Sequence, residues 1–386
     1  MNKPVAILFA NLKGNIGDFA ILEVILRDVY NLYPKSEIHV FSHGFTTIDS
    51  IRLKAFRESG APDFDLAGTT YKANVPLLLR KLHRRILKTG LWPTIQGSLT
   101  LWEAAVSSND AKRFSLYEAI FLAGGDQWNG FDSGISMFGT LKSISKYNRN
   151  IFAYPFSMNP EVFKFNFSWS LNSYFNKISS PIIVRDSISK DQFARLGRSV
   201  TLGTDCVYSL QDISQEIAPH PDRDSTRTLI SLARGLEPNW SSIMATTLMR
   251  LKSEMGSLEL LTTCGQEDLD VYERLGAEFN IPVRAPLTWQ EAVAEFKNSA
   301  LIVTNRLHAL ILGSFTDRPL LPVADRKKAE AFCNDTGVPF HAEAIKDLTP
   351  TLLARVKQDE AAIIMKVATY REKTRQMPLR PIALQT

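Results

Sequence analysis

The sequence predicts an α/β protein: two doubly wound domains facing each other across a cleft, with a C-terminal helix crossing back to the first. Three observations carry that expectation. Short apolar runs rich in Val, Ile and Leu alternate with helix-period segments along the chain, the pattern of parallel strands joined by crossover helices. A polar stretch at 211–226, with two prolines, several acids and no apolar periodicity, divides that pattern in two. The 386 residues, 45% hydrophobic and 22% charged, suffice for two cores of ordinary size. The expected boundaries are an N-terminal domain at 1–210, a linker at 211–226, a C-terminal domain at 227–345, and a helix and tail at 346–386.

The first strand, at 5–10, runs into the glycine loop Lys13-Gly14-Asn15-Ile16-Gly17-Asp18 and a helix to about Tyr33, where Pro34 stops it. Asp18 sits where an N-cap belongs, and it also suits contact with a ligand hydroxyl, as does Asn15 beside it. Gly-x-x-Gly-Asp is not the Gly-x-Gly-x-x-Gly dinucleotide fingerprint, and a carboxylate in the loop mouth repels a pyrophosphate. A strand at 37–41 follows, and residues 50–115 are less regular. Within them, 72–88 carries six Lys and Arg residues and no acid among leucines. Such a run can lie on a membrane surface, as an enzyme of lipid-linked glycans would require, but a solvated helix face is the commoner meaning and is preferred.

The buried strand at 119–123 ends in Gly124-Gly125-Asp126-Gln127-Trp128. Two glycines allow backbone to approach a ligand, and the polar and aromatic groups after them can hold a sugar by hydrogen bonds and ring stacking. Asp126 is a candidate base there, or a turn residue. Strands at 151–154 and 181–184 come next. The second runs straight into Arg185, putting that guanidinium at a carboxyl end, the ligand-facing side of an open sheet. An Arg185–Asp186 pair is disfavoured, since adjacent side chains point apart.

Beyond the linker the expected strands are 228–233, 258–263, 301–304 and 319–323. The expected helices are 241–255, 267–279, 288–298 opened by a Thr288-x-x-Glu291 capping box, and a long one at 352–373. The strand at 301–304 passes without a linker into Asn305-Arg306-Leu307-His308, so two cationic or titratable groups stand beside a helix N-terminus, where an anion is favoured. Opposite Arg185 they would complete a two-sided anion clamp.

A net charge of +5 alongside 40 acidic residues suits phosphorylated or acidic substrates better than a nucleic-acid groove, and no nucleic-acid motif is present. Cys206, Cys264 and Cys333 are widely separated and odd in number, which argues against disulfides or zinc and for a reducing compartment. No run approaches a membrane span or a signal-peptide core, so a cytoplasmic location, with contact to the inner membrane face through 72–88 as an option, is expected. No metal or cofactor is called for.

Together, Gly14-Asn15-Ile16-Gly17-Asp18-Phe19-Ala20-Ile21, Phe121-Leu122-Ala123-Gly124-Gly125, Val184-Arg185-Asp186-Ser187-Ile188-Ser189 with Leu196-Gly197, Asp205, and Asn305-Arg306-Leu307-His308-Ala309 resemble the polysaccharide pyruvyl transferase family. The resemblance implies a GT-B-like pair of Rossmann-type domains. It also implies transfer of pyruvate from phosphoenolpyruvate onto two hydroxyls of a sugar, as a cyclic ketal. The acceptor would belong to an exopolysaccharide or cell-surface glycan, or to its lipid-linked precursor. Carried over residue by residue, it makes Arg185, Arg306 and His308 the donor-binding groups. This chain departs from the family in reading Gly124-Gly125-Asp126 for a glycine triplet and 154–160 for a glycine-rich Gly-Pro segment.

The chemistry suits those residues. Phosphoenolpyruvate offers a carboxylate and a phosphate, which guanidinium groups grip as forks. Ketal formation needs a proton delivered to the methylene carbon while a hydroxyl attacks its neighbour, and His308 is the candidate acid. Asp18 and Asp126 are the candidate bases; Asn15, Asp18, Gly124, Gly125 and Trp128 form the candidate acceptor side. A homo-oligomer is compatible with all of this. The competing readings are a GT-B sugar-nucleotide glycosyltransferase, since fold does not fix the donor, and a noncatalytic glycan-binding relative.

Overall fold

A computed structural model describes residues 2–12, 15–42, 47–69, 111–128, 140–158, 175–219, 226–233, 239–254 and 257–381. The basic run at 72–88 and the loop residues Lys13 and Gly14 lie outside the described residues. The first sheet holds β1 (Val5–Ala10), β2 (Ile38–Ser42), β3 (Asp65–Thr69), β4 (Ile120–Leu122) and β6 (Ile151–Ala153) in the order β3-β2-β1-β4-β6. Every pairing is parallel, and β1 and β4 are buried throughout, as strands covered on both faces must be.

The C-terminal sheet repeats the plan. It comprises β10 (Thr228–Ser231), β11 (Leu258–Leu261), β12 (Val283–Arg284), β13 (Leu301–Thr304) and β14 (Leu320–Pro322), ordered β12-β11-β10-β13-β14. In each sheet the order reverses beside its first strand, between β1 and β4 and between β10 and β13. Those reversals open crevices at the carboxyl ends of the strands, where ligands of open α/β sheets bind.

A third sheet was not expected. β5 (Gly125–Trp128), β7 (Phe156–Met158), β8 (Ile183–Val184) and β9 (Thr201–Leu202) form a parallel four-stranded sheet beside the first. These strands are two to four residues long, too short to show a period of their own, and Tyr154-Pro155 splits β6 from β7. The same sheet accounts for the glycine pair. Gly125 has φ of 95° and its N–H donates to the Pro155 carbonyl at 3.1 Å, while a Cβ on Gly124 would collide with that carbonyl oxygen. Gly125 is thus favoured by its backbone conformation and Gly124 by close packing.

The described helices are α1 (Ile16–Leu32), α2 (Thr47–Glu58), α3 (Ser187–Arg195), α4 (Gln211–Gln215), α5 (Trp240–Glu254), α6 (Gln266–Phe279), α7 (Trp289–Lys297), α8 (Leu307–Ser314), α9 (Lys327–Thr336), α10 (Pro350–Gln358) and α11 (Glu360–Arg375). Two differences from expectation are local. The long C-terminal helix is two helices, broken at Asp359 (φ −97°, ψ 19°). The Thr288 box is half made: Thr288 Oγ1 accepts from Glu291 N–H, but Glu291 accepts from Leu287 N–H, one residue before the cap. α2 and β3 lie in the stretch that read as irregular, because α2 buries Arg52 among its apolar positions. No described helix is long and apolar enough to cross a membrane.

The two domains are packed together around buried polar contacts. Trp289, fully buried at the start of α7, donates Nε1–H to Glu23 Oε2 of α1 at 2.6 Å, and Arg27 holds the other Glu23 oxygen at 2.8 Å. Arg52 of α2 donates to the Cys264 and Pro286 carbonyls at 2.8 and 3.3 Å. At the C-terminus, α11 and the chain after it return to the first domain. Arg375 meets Asp212, Thr204 N–H donates to the Pro378 carbonyl, and Arg380 pairs with buried Asp28 at 3.0 Å.

Trp289→Phe keeps most of the ring volume but orphans a buried Glu23 oxygen. It should cost about 1–3 kcal/mol, read as a lower midpoint in denaturant unfolding with an unchanged slope.

Candidate active site

The β1–α1 junction and the β13–α8 junction meet face to face. Asn15 caps α1, its Oδ1 accepting Gly17 N–H at 3.1 Å, so the expected cap, Asp18, is displaced into the first helical turn. The shorter reach of Asn15, two residues before Gly17, satisfies the end of the helix and leaves the Asp18 carboxylate for another use. Asp18 Oδ2 accepts from Asn11 Nδ2 at 2.6 Å.

Gly17 lies directly against His308, the second residue of α8. A Cβ at Gly17 would overlap the imidazole ring, so the second glycine of the loop is needed for this contact between domains. His308 is 11% exposed, and its Nε2 lies 3.5 Å from Asp205 Oδ2. Asp205 also caps the 3₁₀ turn Cys206–Leu210 through Val207 N–H. The same Asp205 oxygen accepts from Arg185 Nη1 at 2.5 Å. Arg185 Nε donates to Ser157 Oγ at 2.6 Å, and Ser157 Oγ donates to Asp186 Oδ2 at 2.5 Å. Arg185 thus pairs with Asp205, while Asp186 caps α3 through Ser189 N–H. The Arg185 side chain is 2% exposed, yet its Nη2 has no hydrogen-bond partner.

These groups set each other's charge. Burial pushes the Asp18 carboxyl up, against the opposing pull of His308, Lys328, Arg185 and the Asn11 hydrogen bond. Burial would also raise Asp205, but Arg185 and His308 overcome it and hold that carboxyl far below the usual range. Lys328, in the first turn of α9, is brought down to about 8 by burial, with Asp18 opposing.

Of the sequence-derived residues, Asp18, Arg185 and His308 therefore converge, joined by Asp205 and Lys328. Arg306 belongs to an adjacent cluster. It forms a close ion pair with Asp268 of α6 and feels Cys264 and Arg326, and burial lowers its pKa. Both arginines of the expected clamp hence carry a carboxylate partner. Asn305 is structural, accepting from Ala233 N–H at 2.6 Å and donating to Asp325. The side chains of Asp126 and Trp128 lie outside the described residues. Lys328 was overlooked, although its place just past the carboxyl end of β14, in an Arg326-Lys327-Lys328 run, obeys the rule that picked out Arg185 and His308.

A cleft of about 1050 Å³ runs alongside, with Arg185, Asp205, Leu307 and Lys328 on its wall. Asp18, Arg306 and His308 are not on that wall; His308 stands one side chain behind it, against Asp205. Among the described residues no group of three or more His, Cys, Asp or Glu side chains converges in the manner of metal ligands.

The family model for polysaccharide pyruvyl transferase matches residues 15–325. No curated protein matches the sequence. Among solved structures, UDP-N-acetylglucosamine 2-epimerase from Rickettsia bellii is similar at a TM-score of 0.55 and 12% identity, over 96% of this chain and 95% of that one. A glycosyltransferase from Rickettsia africae is similar at 0.51 and 11% identity, over 100% and 96%. UDP-GlcNAc 2-epimerase from Methanocaldococcus jannaschii, in complex with UDP-GlcNAc and UDP, is similar at 0.50 and 12%, over 97% and 95%. At such identities the likeness is one of fold, the GT-B-like arrangement of two Rossmann-type domains.

Gly17→Ala should displace the His308 ring. The expected result is a fold destabilised by about 1–3 kcal/mol and turnover reduced far beyond that loss, measured by thermal unfolding and initial rates on the same preparation.

Proposed function

The chain belongs to the polysaccharide pyruvyl transferase family, and from that membership and the site we propose that it transfers pyruvate from phosphoenolpyruvate to two hydroxyls of a sugar. The acceptor would be part of an exopolysaccharide or cell-surface glycan, or its lipid-linked precursor, and the product a cyclic ketal. The observation that carries this reading is the buried Arg185, whose Nη2 is unspent on the wall of a cleft between two domains, beside His308 and Asp18.

In this reading the donor's anionic groups take up the spare Arg185 nitrogen and compete with Asp205 for the guanidinium and for His308. His308 gives its proton to the methylene carbon of the donor while a sugar hydroxyl adds to the adjacent carbon and Asp18 accepts the hydroxyl proton. The second hydroxyl then attacks the same carbon, the bond to the phosphate oxygen breaks, the hydroxyl proton leaves with the phosphate, and the ketal closes. Arg306 holds the N-terminus of α8 in a positive environment and contributes to donor binding as the clamp's second arm once Asp268 yields. Asp126 and Trp128 remain proposals for the acceptor side, and no cofactor is needed beyond the co-substrate. A cytoplasmic location, where phosphoenolpyruvate is available, belongs to the same proposal.

Acceptor-dependent release of inorganic phosphate from phosphoenolpyruvate tests this. His308→Ala should lower kcat at least 100-fold while leaving the unfolding temperature nearly unchanged; near-normal turnover in a folded variant would remove His308 from its role. The acid limb of kcat/KM gives a second check. A raised Asp18 pKa keeps this base protonated at pH values where an ordinary carboxylate is ionised. Activity should therefore fall with decreasing pH at a point above the usual carboxylate range, and Asp18→Asn should abolish the residual rate.

A further inference from the structure

α9 lays one face along the cleft. Lys328, Ala331, Phe332 and Asp335, spaced as a single helical stripe, are all on the wall. The stripe is polarised. Its N-terminal end carries Arg326, Lys327 and Lys328, with no side-chain cap on the helix, and its other end carries Asp335. Seven residues at 1.5 Å each separate Lys328 from Asp335, so the two ends stand roughly 10 Å apart. That exceeds the length of a three-carbon phosphate ester, and the cleft has room for a second molecule beside the donor.

The groups at the Asp335 end are of one kind. Across the cleft stands Asp186, and the Phe332 and Tyr370 rings, 6.4 Å between centroids, supply an aromatic edge. Among the described residues the Asp335 carboxylate makes no hydrogen bond. Burial, reinforced by the charge of Asp186 and opposed by Lys373 on α11, pushes its carboxyl up to about 6. An acidic pair alone would identify nothing. Here it is wired to the donor side: Asp186 accepts from Ser157 Oγ, and Ser157 Oγ accepts from Arg185, the buried residue whose Nη2 is unpartnered on the same wall. One hydroxyl therefore separates Asp186 from the guanidinium assigned to the donor.

We propose that the Asp335 end of the cleft, walled by Asp186, Phe332 and Tyr370, is an acceptor subsite that holds the hydroxyls of a neutral sugar. Sugar hydroxyls are donors that carboxylate oxygens accept, and the C–H faces of a pyranose pack on aromatic rings. A sugar held there presents its diol toward Arg185, where the donor carbon must lie. The inference rests on the transferase reading for the identity of the second substrate. It adds the channel between α3 and α9 to the acceptor side proposed at the glycine-rich segment after β4.

The test uses saturation-transfer NMR with the full chain and three methyl hexopyranosides, of gluco, galacto and manno configuration, with and without phosphoenolpyruvate. The donor's own thermal shift is recorded alongside. The wild type should give a signal for at least one glycoside. Asp335→Asn should weaken it at least fivefold and Asp335→Ala further, with the phosphoenolpyruvate shift and the unfolding temperature retained in both variants. A glycoside whose hydroxyls are blocked as methyl ethers should give none. Equal signals in the wild type and both variants, an undiminished signal from the blocked glycoside, or none in the wild type would each overturn the assignment. If phosphoenolpyruvate shifts no protein while an Asp335-dependent glycoside signal persists, the donor reading fails and the subsite stands.

Discussion

The contact on which this architecture turns is that between the His308 ring and the backbone of Gly17. It joins the first turn of α1 to the first turn of α8, and so fixes where the switch-point crevice of one sheet meets that of the other. No residue with a Cβ fits at position 17 without moving the ring. The Trp289–Glu23 bond, the Arg52 contacts to Cys264 and Pro286, and the Ile16 N–H bond to the Thr263 carbonyl at 2.9 Å hold the domains at the spacing this contact demands. All four cross from the N-terminal to the C-terminal domain.

Two buried arginines differ in how fully their nitrogens are satisfied. Arg227 sits between Glu259 and Glu295 of the C-terminal domain and spends every nitrogen. Nη1 and Nη2 go to the two carboxylates and Nε to the Asn298 carbonyl at 3.3 Å. Arg185 is as deeply buried and has Asp205 and Ser157, but Nη2 is left over. Burying an ion pair is of little net benefit to stability, and an unsatisfied donor within one costs about 1–3 kcal/mol. The proposed grip on an anionic donor would give that spare nitrogen a partner. At Asp18, too, burial outweighs the neighbours: it pushes the carboxyl up although His308, Lys328, Arg185 and the Asn11 hydrogen bond pull the other way.

Much of this was legible in the residues, and the failures have identifiable causes. Eight of the ten strands of the two larger sheets are apolar runs separated by helical periods and could be read directly, β3 and β12 being the exceptions, and the apolar runs before Arg185 and before Arg306 and His308 gave those residues their carboxyl-end positions. The third sheet escaped because its strands are two to four residues long. The break at Asp359 escaped because α10 and α11 continue one amphipathic pattern across it. Pairing of charges was beyond reach. Arg185 finds Asp205 twenty residues away and Arg306 finds Asp268 on another helix, contacts that only the packing of separate elements creates. The cap at Asn15 was misassigned to Asp18 because both residue types cap helices, and three residues of loop geometry decide between them. Gly17 was visible as part of a glycine loop, but the reason it must be glycine sits in the other domain.

The most direct test of the central claim is an equilibrium titration of the purified chain with phosphoenolpyruvate, run beside UDP and a UDP-sugar, on the wild type and on Arg185→Ala. Phosphoenolpyruvate should bind the wild type, Arg185→Ala should weaken that binding at least tenfold, and the nucleotides should not compete. Binding of the nucleotides alone, with no phosphoenolpyruvate bound by a folded wild-type protein, would contradict the central claim and leave a GT-B enzyme of sugar nucleotides in its place.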